Sequence, residues 1–252
     1  MRYVFVVTYG RSGSTTLMNL LNGIDGYCIR GENDNMLGRL FELSQKAHAV
    51  HETHGHSKNP SAPWFGAHAI NGDAFEKALC ESFARDVLAP PAGTEVVGFK
   101  EIRHTTKEHT EESFLAYIDF LMRNFEGLKI IFNTRDAEQV ARSGWWVRVP
   151  RDHVLQVIRS SDRWFAKAAE KYPEATFTID YDEFARDHAG YRRVLDWLGV
   201  SMTDEEIATI ADQKLVHLQP TKKVPPLIRE ARQRWRRFKY HFSDDKWPLE
   251  KT

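Results

Sequence analysis

The sequence predicts an α/β fold, a parallel sheet covered by helices, and three observations predict it. Residues 3–7, Tyr-Val-Phe-Val-Val, form a β-branched and aromatic run that suits a strand buried on both faces. A turn of small residues, Tyr9 to Thr16, then leads into Leu17, Leu20, Leu21 and Ile24 at helical spacing. Three further apolar runs, at 95–99, 129–133 and 176–179, are each followed by helix-forming sequence.

The remaining elements follow in order. Gly26 is a stop signal for the first helix. Residues 48–72 are rich in His, Gly, Pro and Asn and lack a clean period, so they read as a long loop that shapes the acceptor side of a cleft. Segments 152–171, 188–198 and 203–213 read as helices, the last opened by Thr203-Asp204-Glu205-Glu206 as a capping box. Pro220, Pro225 and Pro226 interrupt the chain before a helix-like, Arg-rich stretch at 227–239. The 252 residues fit a single domain, 1–252, with a helical C-terminal portion and a basic segment at 214–252.

Composition narrows the function. Thirty-five Lys and Arg balance thirty-five Asp and Glu, which excludes a general nucleic-acid binder. The balance is local, however: residues 214–239 hold nine Lys and Arg against one acid, Glu230. Arg229, Arg232, Arg236 and Arg237 include i,i+3 and i,i+4 pairs, and Trp235 and Phe238 supply apolar anchors, so this face suits an anionic phosphate or acceptor. Two cysteines, Cys28 and Cys80, make no disulfide framework. No apolar run approaches the ~20 residues of a membrane helix, and the start is too short for a signal-peptide core. A reducing cytoplasm is the expected compartment.

The turn at 10–16 carries the chemistry. Small residues between a buried strand and a helix present backbone N–H groups, and the helix dipole adds positive potential, so the loop suits a phosphate or sulfate. Ser12, Ser14, Thr15 and Thr16 add hydroxyls, and Arg11 adds a bidentate cation. The nucleotide triphosphatase pattern G-x-x-x-x-G-K-[ST] is not met, because Ser14 follows Gly13 where lysine is required. A strand ending in Asn133-Thr134-Arg135-Asp136 is likewise no Walker-B run, which disfavours a magnesium-dependent kinase.

Thr8-Tyr9-Gly10-Arg11-Ser12-Gly13-Ser14-Thr15 instead resembles the 5′-phosphosulfate loop of sulfotransferases that use 3′-phosphoadenosine 5′-phosphosulfate (PAPS), in the form with Gly-Arg where the cytosolic enzymes carry Pro-Lys. A second element, 130–136 followed by Arg142-Ser143, is similar to the family's strand, Arg and Ser at a spacing of eight, with Ala137 where Pro is usual. A third, Tyr181-Asp182-Glu183-Phe184 and then Leu195-Asp196-Trp197-Leu198-Gly199, resembles the family's Tyr-Glu-Asp-Leu and Phe-Leu-Gly segments. The three span roughly residues 1–200 in family order, whereas the Arg-Lys-Gly-x-x-Gly-Asp-Trp ending of the cytosolic enzymes is absent.

The resemblance implies a P-loop-like sheet, PAPS as co-substrate, PAP (adenosine 3′,5′-bisphosphate) as product, and no metal. It implies that Gly10 through Thr16 hold the phosphosulfate and that Arg135 and Ser143 hold the 3′-phosphate. PAPS is anionic at both ends, so two separated sites, each with an Arg, suit it. Trp145, Trp146 and Tyr181 are candidate walls for the adenine.

Sulfuryl transfer needs a base for the acceptor hydroxyl and cations on the leaving phosphate. Arg11 and Lys100 are the candidate cations, the latter at the end of a strand-like segment. Two residues compete as base. Glu32, in Arg30-Gly31-Glu32, resembles the Gly-Glu of a bacterial carbohydrate sulfotransferase group; His104 resembles the Lys-x-His of the cytosolic enzymes, at a spacing of four instead of two. Glu32 is favoured because its motif matches better. His48, His51, His54 and His56 read as structural or substrate-contact residues, not as a zinc site.

The leading expectation is O-sulfation of a saccharide, glycolipid or other glycoconjugate hydroxyl. Sulfation of a small phenol or alcohol natural product is the alternative within the class. A kinase, or a nucleotide-binding module without turnover, is the alternative outside it.

Overall fold

The computed structural model describes residues 1–185 and 188–211, and Met1–Asp212 cluster as one compact unit. The basic stretch 214–239 therefore lies outside the described residues.

The chain runs β1 (Arg2–Thr8), α1 (Ser14–Asn22), β2 (Tyr27–Arg30), α2 (Met36–His54), α3 (Gly72–Ser82), β3 (Val96–Glu101), α4 (Glu111–Asn124), β4 (Lys129–Thr134), α5 (Ala137–Ala141), α6 (Arg151–Lys171), β5 (Thr176–Asp180), α7 (Tyr181–Ala185), α8 (Ala189–Leu198) and α9 (Asp204–Ala211). The five strands form one parallel sheet in the order β2-β3-β1-β4-β5. Strand β1 lies at its centre, with its successors placed first on one side and then on the other. That reversal puts a crevice outside the carboxyl ends of β1 and β4, where open α/β sheets bind ligands.

The period of two in β1 divides the core. Val4 and Val6 face one layer with Leu17, Leu20 and Leu21 of α1 and Val194 and Leu195 of α8. Phe5, Val7 and Tyr9 face the other, packed with Phe114 and Ile118 of α4 and Ile158 and Phe165 of α6. Both faces are covered, which is why the strands read as continuous apolar runs.

Three boundaries differ from expectation. Helix α1 ends at Asn22 with Gly23 as its cap, while Gly26, at φ 78°, begins the turn into β2. That short edge strand has no sequence signal of its own. The Asn22 side chain fastens it to α1, donating to Ile29 O at 2.8 Å and accepting from Ile29 N at 2.7 Å.

The third difference lies at 48–72. Helix α2 continues to His54, so three of the cluster's four histidines, His48, His51 and His54, are helical. His48 is twelve residues along α2 from Met36, about 18 Å at 1.5 Å per residue. His54 stacks on Trp64 at 3.8 Å, and His48 faces Asp73 of α3. The excursion is thus anchored on the C-terminal end of α2 and the start of α3. Its clean period was hidden because the helix has polar residues on most of its surface.

The other assignments match closely: α6, α8 and α9 cover the expected helices, and Thr203 and Glu206 exchange the expected capping-box hydrogen bonds. Among the described residues, no helix is long and apolar enough to cross a membrane.

Candidate active site

The loop after β1 is shaped by backbone that only small residues tolerate. Gly13 caps α1 in the left-handed region at φ 81°, and a Cβ there would lie 2.3 Å from the Tyr181 ring. Gly10 lies so close to Trp145 that its Cβ would meet the indole at 2.2 Å. Arg11 is itself left-handed, at φ 75°. Because α1 starts at Ser14, the Ser14 and Thr15 N–H groups have no partner within the helix, whereas that of Thr16 bonds the Gly13 carbonyl at 2.9 Å. Gly13→Ala is expected to cost about 1–3 kcal/mol of stability and to weaken nucleotide binding, measured by thermal unfolding and calorimetry.

The side chains around the loop form one hydrogen-bonded cluster. Arg11 Nε donates to Ser143 Oγ at 3.0 Å, and Arg135 Nη1 donates to the Arg11 carbonyl at 3.0 Å. Arg135 Nε and Nη2 both donate to Gln139 Oε1, and the guanidinium lies 4.1 Å from the centre of the Tyr181 ring. Gln139 is in turn held by Asp182 at 3.2 Å. Residues expected at the two anion sites are thus linked by hydrogen bonds, because β1 and β4 are neighbouring strands that end side by side. Gln139 and the Arg11 carbonyl occupy three of the five N–H donors of Arg135, which leaves two for an anionic oxygen.

Not every loop hydroxyl is available. Ser12 is fully buried, 2.7 Å from Thr8 Oγ1 and 3.2 Å from Asn133 Oδ1. Its side chain ties the loop to β4, so the expectation of a Ser12 hydroxyl on the phosphate is corrected; its backbone remains part of the loop. Ser14 is buried, whereas Thr15 and Thr16 are partly exposed at the start of α1.

Around the cluster, the aromatic residues take different positions. Trp145 is half-exposed beside Gly10. Trp146 packs against the core and donates its indole N–H to the Gly10 carbonyl at 3.0 Å, so it supports the loop. Tyr181 lies by Gly13, on the other part of the loop.

On the next strand, Lys100 is buried in β3 and in register with Val6 of β1. Its ammonium bonds Glu32 Oε1 at 2.5 Å, and Glu32 keeps about half its surface in solvent. The adjacent Glu101, also buried, accepts from the backbone N–H groups of Asn33, Asn35 and Ile102. Lys100 and Glu101 project to opposite sides of β3, and together they hold the loop that carries Glu32.

His104 does not join this group. It has no exposed surface, its Nδ1 lies 3.1 Å from the Glu101 carbonyl, and it sits among His109, Phe114 and Tyr117. Burial, aided by His109, pushes its imidazole down to about 3 from an ordinary 6.5. A base must reach the acceptor proton, so the expectation for His104 is corrected: it is a core histidine.

Its burial carries a pH prediction. The unfolded imidazole takes up a proton below about 6.5 and the folded one only near 3, so stability falls as pH drops through that window. The loss approaches about 1.4 kcal/mol per pH unit. Thermal unfolding followed from pH 6.5 to 4 should show it. His104→Phe should flatten the slope, and equal slopes in the two proteins would refute the assignment.

Several site residues had no sequence signal. Tyr9 and Asp162, 153 residues apart, are joined by a 2.9 Å hydrogen bond beneath Arg135. Burial raises both groups, the Asp162 carboxyl to about 6 with Asp180 adding to the rise. Gln139 was discoverable in principle, one helical turn after Arg135. Among the described residues, no three His, Cys, Asp or Glu side chains gather as metal ligands.

The geometry can now be set beside known proteins. No curated protein matches the sequence significantly. Among solved structures, the sulfotransferase domain of the Synechococcus PCC 7002 olefin synthase is similar at a TM-score of 0.56 and 15% identity, covering 99% of this chain and 90% of that one. The sulfotransferase domain of the curacin biosynthetic pathway is similar at a TM-score of 0.50 and 15% identity, over 86% of this chain and 81% of that one. These likenesses concern the fold. The sequence pattern of the sulfotransferase family matches residues 3–204, from β1 through the loop, the Arg135 cluster and Tyr181 to the start of α9. The chain belongs to the sulfotransferase family and is an enzyme of that family.

Proposed function

We propose that this enzyme moves a sulfuryl group from PAPS to a hydroxyl of a saccharide or glycoconjugate, with Glu32 as the general base. The observation that carries it is the cluster of Arg11, Ser143 and Arg135 at the carboxyl ends of β1 and β4, one strand away from the Glu32–Lys100 pair. The residues fit the nucleotide. The N–H groups opening α1, beside the Trp145 and Tyr181 rings that close on Gly10 and Gly13, and the two remaining donors of Arg135 suit a molecule with an anion at each end.

When bound, PAPS supplies a sulfuryl group carried on a phosphate leaving group. Arg11 and the loop N–H groups hold the phosphate as its charge grows. Glu32 receives the acceptor's hydroxyl proton on a carboxylate oxygen. Lys100 Nζ fixes that carboxylate at the sheet edge and shields the charge between base and donor. Arg135 and Ser143 hold the 3′-phosphate, and Tyr181, with Trp145, borders the adenine.

The saccharide reading is supported by the Gly-Arg form of the loop and by Arg30-Gly31-Glu32. The cysteines, neither paired, fit a reducing cytoplasm.

Calorimetry with PAP and with ATP tests the donor, and a transfer screen with radiolabelled sulfate over saccharides, glycolipids and phenols tests the acceptor. Binding of PAP but not ATP, and labelling of saccharides, are expected. ATP binding without a response to PAP overturns the donor, and labelling of phenols alone overturns the acceptor.

A further inference from the structure

We infer that the Tyr9 phenol and the Asp162 carboxylate position Arg135, and so set how strongly the enzyme prefers an adenosine nucleotide that carries a 3′-phosphate. The inference rests on the reading above that Arg135 holds that phosphate.

The side chain of Arg135 is guided by Gln139, the Arg11 carbonyl and Tyr181, but its backbone is placed by Tyr9. The Arg135 N–H donates to Tyr9 Oη at 2.9 Å, and the Arg135 carbonyl lies 3.0 Å from the same oxygen. A phenol has one proton, and Asp162 Oδ1 takes it at 2.9 Å with the Arg135 carbonyl alongside. The Tyr9 ring is wholly buried and stacked on Phe165, which lies on α6 with Asp162. One hydroxyl thus spans the end of β1, just before the phosphate loop, the residue that follows β4, and α6.

Stability does not require this arrangement. Even a partly buried carboxylate is costly to desolvate, and an apolar pair of similar volume would fill the space without that cost. What the pair does is hold the two phosphate-binding elements at one spacing. A displacement of about 1 Å in the arginine is enough to lose a bidentate contact.

The test compares affinities of the full chain for PAP and for adenosine 5′-monophosphate, by calorimetry, in the wild type, Tyr9→Phe and Asp162→Asn. Thermal unfolding confirms that each variant is folded, and the milder Asp162→Asn carries the test should Tyr9→Phe not fold. The wild type should prefer PAP strongly. Tyr9→Phe should reduce that preference about tenfold, and Asp162→Asn about threefold or more, with monophosphate affinity held within about twofold. A preference unchanged in the folded variants overturns the inference, and so does an equal loss for both nucleotides, which signals general loosening of the loop. A wild type that does not discriminate between the nucleotides overturns the reading of Arg135 itself.

Discussion

Replacing Glu32 with Gln should lower turnover about 10²–10⁴-fold, the usual contribution of a positioned general base, while PAP affinity stays within about twofold. The amide keeps the volume of the side chain and still accepts from Lys100, so the loop stays in place. It does not take up the acceptor's proton. Turnover is read as sulfate transfer from labelled PAPS to the acceptor found in the screen, with PAP affinity measured beside it. His104→Phe serves as the contrast, since a residue with no exposed surface should alter acid stability and leave turnover near normal. Near-normal turnover in Glu32→Gln would move the base to another residue.

Removal of the Arg135 side chain has its largest effect on binding. Arg135→Ala should weaken PAP about 10²-fold, as expected for two charge-assisted hydrogen bonds from a guanidinium, and leave adenosine 5′-monophosphate nearly unaffected. Arg135→Lys should recover only part of the loss, because an ammonium keeps the charge but not the planar fork that bonds Gln139 and the Arg11 carbonyl. Calorimetry with both nucleotides at two salt concentrations measures the effect. Equal weakening of both would place Arg135 at the 5′ end instead.

The legible parts of this protein are those written locally. β1, the loop and α1 form a continuous stretch, and their apolar period and small residues describe a strand, a turn and a helix without reference to the rest of the chain. The run that becomes β4, then Arg135 and Ser143, is equally local. Glu32 was found by the residues beside it, but its salt bridge to Lys100 crosses 68 positions.

The failures have the same origin. His104 lies four residues from Lys100, and its resemblance to the Lys-x-His of the cytosolic enzymes made it a rival base. Strand β3 ends at Glu101, and the chain then turns His104 into the layer of Phe114 and Tyr117. The polar surface of α2 concealed its last two turns, so 48–54 resembled loop. Ser12 carries a phosphate-loop signature, yet the nearness of β4 turns its hydroxyl inward to Asn133.

From sequence alone came the parallel α/β layering, the small-residue loop after β1 and the two arginines, Arg11 and Arg135, beside it. Each of these depends on period, residue type and short spacing, which the chain carries along its length. The tertiary structure decided that Arg11, Ser143 and Arg135 make one cluster, that Glu32 meets Lys100 while His104 is core, and that Tyr9 and Asp162 lie beneath Arg135. Those outcomes depend on which strands are neighbours and which face of each is buried, and the order β2-β3-β1-β4-β5 is set by packing the whole sheet at once.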